Sequence, residues 1–256
     1  MSTRQLAMVI DLNKCIGCQT CTLACKTTWT SGKGQEYMLW NNVETKPGRG
    51  YPKEWEAKGA KSGWKDGKLQ FGDLHDQKDY GAPIPLNHED VYFKGTAERL
   101  QQTEPMEYGA NWDEDTSSGE YPNNYHFYLP RLCNHCTKPA CLAACPRQAI
   151  YKREEDGIVV VDKEICIGCR ACVMACPYGA RIPNHETGIV QKCDFCMERV
   201  TVGKEPHCVK TCHQRARIFG DLDDKTSEVY KLVNREPVTR LLPELGTEPY
   251  AFYIME

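Results

Sequence analysis

Sixteen cysteines stand in four groups of four along this 256-residue chain, and their spacing limits the fold more than any other feature. Residues 166–177 read CIGCRACVMACP, with gaps of two, two and three residues and a proline after the last cysteine. Residues 15–26 read CIGCQTCTLACK, with the same gaps and the same Ile-Gly, but with Lys26 in place of the proline. Two further groups are looser: Cys133, Cys136, Cys141 and Cys145 at gaps of two, four and three, and Cys193, Cys196, Cys208 and Cys212 at gaps of two, eleven and three.

A disulfide framework ties distant loops together, whereas tightly grouped thiols present the converging thiolates that a metal site needs. Structural zinc sites usually join two short-gap pairs and often include histidine. Here a third and a fourth cysteine follow the first pair within 11 residues, twice over. The C-x2-C-x2-C-x3-C-P run is instead the bacterial ferredoxin pattern, in which three cysteines wrap one [4Fe-4S] cubane and the fourth reaches the other cluster of a pair. A zinc-stabilised scaffold that only binds partners is the competing reading from another class.

The repeat extends beyond the cysteines. VIDLNKCIGCQTCTLAC (9–25) aligns with VVDKEICIGCRACVMAC (160–176), so a short apolar run, an aspartate and a cysteine loop recur in one order. This predicts strand, turn and helix start in each copy. Gly17 and Gly168 lie inside the loops, and Pro146 and Pro177 stop the chain after a fourth cysteine. Between the second and third groups, AIYKREEDGIVVVD places two β-rich runs around a Glu-Asp-Gly turn and predicts a hairpin. That hairpin pairs the second group with the third, and the first then pairs with the last partly by elimination. The crossing rule yields four sites: Cys15, Cys18, Cys21 with Cys212; Cys25 with Cys193, Cys196, Cys208; Cys133, Cys136, Cys141 with Cys176; and Cys145 with Cys166, Cys169, Cys172.

The fold class that follows is α+β, with paired ferredoxin-like units around a long irregular insertion. The expected division is 1–28 with 186–222 as the first unit, 29–129 as the insertion, 130–185 as the second unit, and 223–256 as a C-terminal tail. The cysteine-free stretch holds all five tryptophans, Trp29 included, and its strands are expected near EYMLWNNVET and HFYLP. Large aromatic residues there suit either a core for the insertion or a surface that docks a partner.

A net charge of −3 gives no sign of nucleic-acid binding. No run of 18 or more apolar residues occurs, and Met1–Ile10 lacks the features of a secretory signal, so neither a membrane span nor self-directed export is expected. His126, His135, His207 and His213 lie at or near the cysteine groups. Each group is already complete in cysteine, so they are read as second-sphere or surface residues rather than Rieske ligands. Lys26, Arg147, Arg170 and Arg181 follow cluster cysteines and are read mostly as solvated charges, with some of them partly offsetting the clusters' negative charge. No nucleophile–base pair, phosphate loop or open metal position is visible, so no catalytic residue is assigned and an electron-transfer role is expected.

With four cysteine groups in this order around a long insertion, the chain resembles the four-cluster iron–sulfur subunit of the dimethyl sulfoxide reductase family of molybdenum enzymes. WNNVETKPGRGYPKEWE (40–56), YLPRLCNHCTKPACLAACPRQAIYKREEDGIV (128–159) and LLPELGTEP (241–249) look like the branch of nitrate, selenate and chlorate reductases, dimethylsulfide dehydrogenase and ethylbenzene dehydrogenase. The resemblance implies the same crossing of ligands. In some relatives the second position of the third group is not cysteine and that cluster is [3Fe-4S]; Cys169 here implies [4Fe-4S]. It also implies a catalytic partner carrying bis-molybdopterin guanine dinucleotide, a haem b subunit or cytochrome at the far end, and anaerobic respiration as the setting. Export to the periplasm beside a twin-arginine partner would follow, with the cytoplasm as the other location. A formate dehydrogenase or hydrogenase complex is the nearest alternative host, although its relatives often add a C-terminal membrane helix. Metal and acid-labile sulfide analysis of anaerobically purified protein should find about sixteen irons and about sixteen sulfides per chain. Stoichiometric zinc without sulfide would refute the iron–sulfur reading.

Overall fold

The computed structural model describes residues 4–81 and 126–255. Strand β1 (Leu6–Asp11) is buried along its whole length, because both faces of its sheet are covered. Leu6, Met8 and Ile10 pack with Val43, Leu129, Phe195 and Tyr253, while Ala7 and Val9 pack with Val229, Phe252 and Ile254. Alternation of side chains along a strand explains the split, and double-sided burial explains why the run is apolar throughout.

Further strands along the chain are β2 (Asn41–Lys46), β3 (Gly63–Lys65), β4 (Lys68–Gln70), β5 (Phe127–Leu132), β6 (Ile150–Lys152), β7 (Val159–Val161), β8 (Ile182–Pro183), β9 (Val190–Gln191), β10 (Arg217–Asp221), β11 (Val238–Thr239) and β12 (Ala251–Ile254). The main sheet runs β10-β1-β12-β11. β1 pairs antiparallel with β10, Ile10 opposite Arg217, and parallel with β12, Met8 opposite Ala251. Residues 223–256, read from sequence as a tail, therefore supply two strands of this sheet. They also supply the helix Glu228–Arg235 that covers its outer face, N-capped by Ser227, whose Oγ accepts from the Tyr230 N–H at 3.0 Å.

The hairpin expected between the second and third cysteine groups is β6–β7, with Ile150 opposite Val161. Its turn is closed by Asp156, whose Oδ1 accepts from the Ile158 N–H at 3.1 Å, and by Gly157 at φ +71°. β3 and β4 are joined by Asp66-Gly67, both at positive φ, the two-residue turn that matches strand twist. The strands expected near EYMLWNNVET and HFYLP are β2 and β5, and they pair with each other from Asn41 opposite Leu132 to Lys46 opposite Phe127.

A buried ionic knot ties this pair to the helix that carries Trp55. Glu44 on β2 is fully buried and meets Arg131 Nε on β5 at 2.6 Å. Its other oxygen accepts from Trp55 Nε1 at 3.1 Å, and the Arg131 guanidinium stacks over the Trp55 ring at 3.6 Å. The other described tryptophans are also engaged within the chain. Trp29 Nε1 donates to Cys196 Sγ at 3.2 Å, Trp40 Nε1 to Met38 Sδ at 3.1 Å, and Trp64 Nε1 to the Lys138 carbonyl at 3.0 Å. Trp112 lies outside the described residues. Glu44→Gln should destabilise the protein by about 3–5 kcal/mol, because it strands the Arg131 charge in the interior. Melting curves of the Glu44→Gln single variant and the Glu44→Gln/Arg131→Met double variant check this. The double variant should recover most of the loss; equal loss in both would show that the charge is not the cause.

Candidate metal centres

The two tight cysteine loops adopt the same backbone. Gly17 and Gly168 sit at φ +68° and +66°, and Gln19 and Arg170, which precede the helices Thr20–Trp29 and Ala171–Ala175, sit at +58° and +63°. A Cβ on Gly17 would lie 2.5 Å from the Tyr128 ring, and one on Gly168 would lie 2.5 Å from the Gly188 carbonyl oxygen. Only glycine allows these turns, which aim successive cysteines inward.

All sixteen thiols are free of disulfides. One pocket is lined by Cys145, Cys166, Cys169 and Cys172, a second by Cys25, Cys193, Cys196 and Cys208, and a third by Cys15, Cys18, Cys21 and Cys212. In the fourth set Cys133 is buried and Cys136, Cys141 and Cys176 are half-buried, and the Cys136 thiol is pushed well up by desolvation and then by Cys133, Cys141 and Cys176 near it. Among the described residues, no three His, Cys, Asp or Glu side chains converge tightly enough to hold a single metal ion. The donor set, all sulfur, and its spacing fit a [4Fe-4S] cluster.

Burial dominates the thiol chemistry. It drives Cys25 and Cys193 well above the ordinary thiol range and pushes Cys172 and Cys208 up to about 12. Without metal these thiols stay protonated at neutral pH, so loading the sites must release protons. Donors already point at several sulfurs. The N–H groups of Phe195 and Ala216 reach Cys193 and Cys212 Sγ at 3.4 and 3.3 Å, and Trp29 reaches Cys196. The Thr247 hydroxyl, within LLPELGTEP, bonds to both Tyr178 and Cys136.

The histidines divide. His135 is buried and stacks on Phe195 at 3.8 Å; its Nδ1 accepts from the Val159 N–H at 3.0 Å, and burial holds it well below the usual histidine range, neutral. His207 Nδ1 pairs with Thr28 Oγ1 at 2.8 Å, His213 lines the pocket beside Cys212, and His126 is exposed against the Tyr128 ring.

The reading of solvated charges holds for Arg147 and Arg170, which are exposed at the rim of the Cys145/Cys166/Cys169/Cys172 pocket. It fails for Lys26 and Arg181, each only 1% exposed. Lys26 Nζ is wrapped by the carbonyls of Thr30, Gln35, Glu36 and Met38, and burial lowers its pKa to about 8. Arg181 Nη2 donates to Cys141 Sγ at 2.6 Å. Burial opposes the Arg181 charge, but Cys141, Cys172, Cys133 and Cys176 outweigh it and hold the guanidinium above its ordinary range. Arg217, unnoticed in the sequence, is in the same position: buried, yet held charged by Cys21, Cys208 and Cys15. A signal for it exists, since Arg181 and Arg217 each stand five residues after the last cysteine of a group.

Residues 124–222 match the family described as 4Fe-4S dicluster domain, and residues 6–27 match the 4Fe-4S binding domain. The chain is 54% identical to the selenate reductase subunit beta of Thauera selenatis and 54% identical to the chlorate reductase subunit beta of Ideonella dechloratans. In both cases the match covers 99% of this chain and 78% of the relative. It is 51% identical to the dimethylsulfide dehydrogenase subunit beta of Rhodovulum sulfidophilum, with the same coverage. Pockets each lined by four cysteines, matched 4Fe-4S domains and 51–54% identity to these subunits over 99% of the chain together place it among the iron–sulfur beta subunits of the dimethyl sulfoxide reductase family of molybdenum enzymes.

Proposed function

We propose that this chain is the electron-transfer subunit of a molybdenum oxidoreductase and that its four cysteine sets hold four [4Fe-4S] clusters in a row. The observation that carries the reading is the grouping itself: each set takes thiols from two separate cysteine groups, as the crossing rule requires. When bound, such a cluster takes up and gives back one electron at a time, with every iron already ligated by cysteine. The chain's own residues do the rest: they space the sites, shield the middle of the row and leave its ends accessible.

The order of the row is supported by which thiols sense one another across sets. Cys172 senses Cys141 and Cys176, Cys193 senses Cys133, and Cys25 and Cys208 sense Cys21. The row then runs from Cys145/Cys166/Cys169/Cys172 to Cys133/Cys136/Cys141/Cys176, on to Cys25/Cys193/Cys196/Cys208, and ends at Cys15/Cys18/Cys21/Cys212. The exposed cysteines are Cys169 and Cys18, one at each end. Each has an exposed isoleucine in its loop, Ile167 at 62% and Ile16 at 54%. Electrons enter at one end and leave at the other.

On this reading the fold is a pair of ferredoxin-like units, 1–28 with 186–222 and 130–185, with 29–129 inserted between them. One end serves a catalytic subunit with bis-molybdopterin guanine dinucleotide, and the other a haem b subunit or cytochrome. Beta subunits of selenate, chlorate and nitrate reductases among the similar proteins support this over a formate dehydrogenase or hydrogenase complex. No described helix is long and apolar enough to cross a membrane. The proposed location is the periplasm, reached beside a twin-arginine partner.

Two measurements test the reading. Cys212→Ser should damage the cluster of Cys15, Cys18 and Cys21 and largely spare that of Cys193, Cys196 and Cys208; the reverse order of loss, by electron paramagnetic resonance, would refute the crossing. The isolated chain should bleach with dithionite and reoxidise with an artificial acceptor while turning over no substrate. Turnover by the molybdenum-free chain at the rate of the complex would end the electron-relay reading.

A further inference from the structure

Arg181 and Arg217 are one device built twice. The local sequences are CPYGAR and CHQRAR, each arginine five residues after a crossing cysteine and directly after an alanine. In both copies that alanine N–H bonds back to the cysteine sulfur, Ala180 to Cys176 and Ala216 to Cys212. The turn so formed sends the next side chain inward. The two arginines are 1% and 3% exposed, and among the described residues neither has a carboxylate partner.

An isolated cation in the interior costs several kcal/mol unless an opposite charge lies beside it. Here the candidates are sulfurs. Arg181 Nη2 donates to Cys141 Sγ at 2.6 Å, its Nη1 is buried without a partner, and Cys133, Cys176 and Cys172 surround it. Arg217 lines the pocket of Cys15, Cys18, Cys21 and Cys212, is held by Asn41 Oδ1 at 2.5 Å, and has Cys208 of the next site beside it. The buried lysines nearby are different, because Lys26 and Lys192 point their ammonium groups at backbone carbonyls. The other crossing cysteines, Cys25 and Cys145, have Thr30 and Ile150 at the equivalent position, so each half carries a single arginine.

We propose that Arg181 and Arg217 are fixed counter-charges, one per half of the chain, and that each raises the reduction potentials of the two clusters on either side of it. Arg181 acts on the sites of Cys133/Cys136/Cys141/Cys176 and Cys145/Cys166/Cys169/Cys172. Arg217 acts on the sites of Cys15/Cys18/Cys21/Cys212 and Cys25/Cys193/Cys196/Cys208. An added electron makes a thiolate-ligated cubane more negative, so a neighbouring cation favours the reduced form. Arginine suits the task because its charge does not titrate away. The inference rests on the four-cluster reading above.

The test is a potentiometric titration of the cluster-loaded chain followed by electron paramagnetic resonance. Arg181→Gln should lower two of the four one-electron midpoints, each by at least tenfold in its reduction equilibrium, about 59 mV. Arg217→Gln should lower the other two. Arg181→Lys and Arg217→Lys, which keep the charge, should stay near the wild-type values. Four unmoved midpoints in the glutamine variants would overturn the proposal, and so would lysine variants shifted as far as the glutamine ones. If a glutamine variant fails to load iron, pulsed measurements on wild-type protein with ¹⁵N-arginine decide: coupling of reduced clusters to guanidinium nitrogen supports the assignment, and its absence overturns it. Fewer than four waves in the wild type would instead defeat the four-cluster reading and, with it, the assignment of two clusters to each arginine.

Discussion

Every cysteine set in this protein is completed by a residue from another part of the chain, and the rest of the structure exists to make that possible. Cys212 must come back to Cys15, Cys18 and Cys21, and Cys25 must reach Cys193, Cys196 and Cys208. Closing loops this long carries an entropic cost that cysteine spacing alone cannot meet before metal binds. The main sheet meets it: β1 leads into the first cysteine loop and β10 leaves the last one, and the two are hydrogen-bonded neighbours from Leu6 to Ile10. In the other half the same work falls to the β6–β7 hairpin, which turns the chain back between the second and third groups.

Electrostatics sets the second constraint. Sixteen thiols brought into a protein of this size repel one another once ionised, and burial raises that cost, as the upward shifts of Cys25, Cys136 and Cys193 show. The fold answers with N–H donors from the backbone and Trp29, and with buried cations. Those cations fall into two kinds. Lys26 and Lys192 tie backbone carbonyls and so stiffen the loops beside Cys25 and Cys193, whereas Arg181 and Arg217 stand among the sulfurs themselves.

The described residues between the first and second cysteine groups are tied to the rest of the chain by their tryptophans Trp29 and Trp64. Trp29, Trp40 and Trp64 each donate to an atom of the chain, and Trp55 is buried over Arg131, whose own partner Glu44 lies on the opposite strand. These four aromatic residues make contacts within the chain itself. The apolar side chains left exposed beside cysteines at the two ends of the row, Ile16 and Ile167, belong to the loops themselves.

What the sequence determined by itself was the chemistry. Cysteine gaps, the Ile-Gly turns and the Glu-Asp-Gly hairpin are local, and local geometry is what spacing encodes, so the iron–sulfur character, the hairpin and the strands near Asn41 and Phe127 could be read directly. What only the tertiary structure decided was everything that depends on which distant surfaces meet. Residues 223–256 look like a polar tail because Val229, Phe252 and Ile254 are few and scattered, yet they close the main sheet against β1. Lys26 and Arg181 look solvated because charge usually is, and Arg217 drew no notice at all. Their burial makes sense only once the sulfurs and carbonyls around them are in place, since a buried cation is stable only beside the partners that the fold delivers.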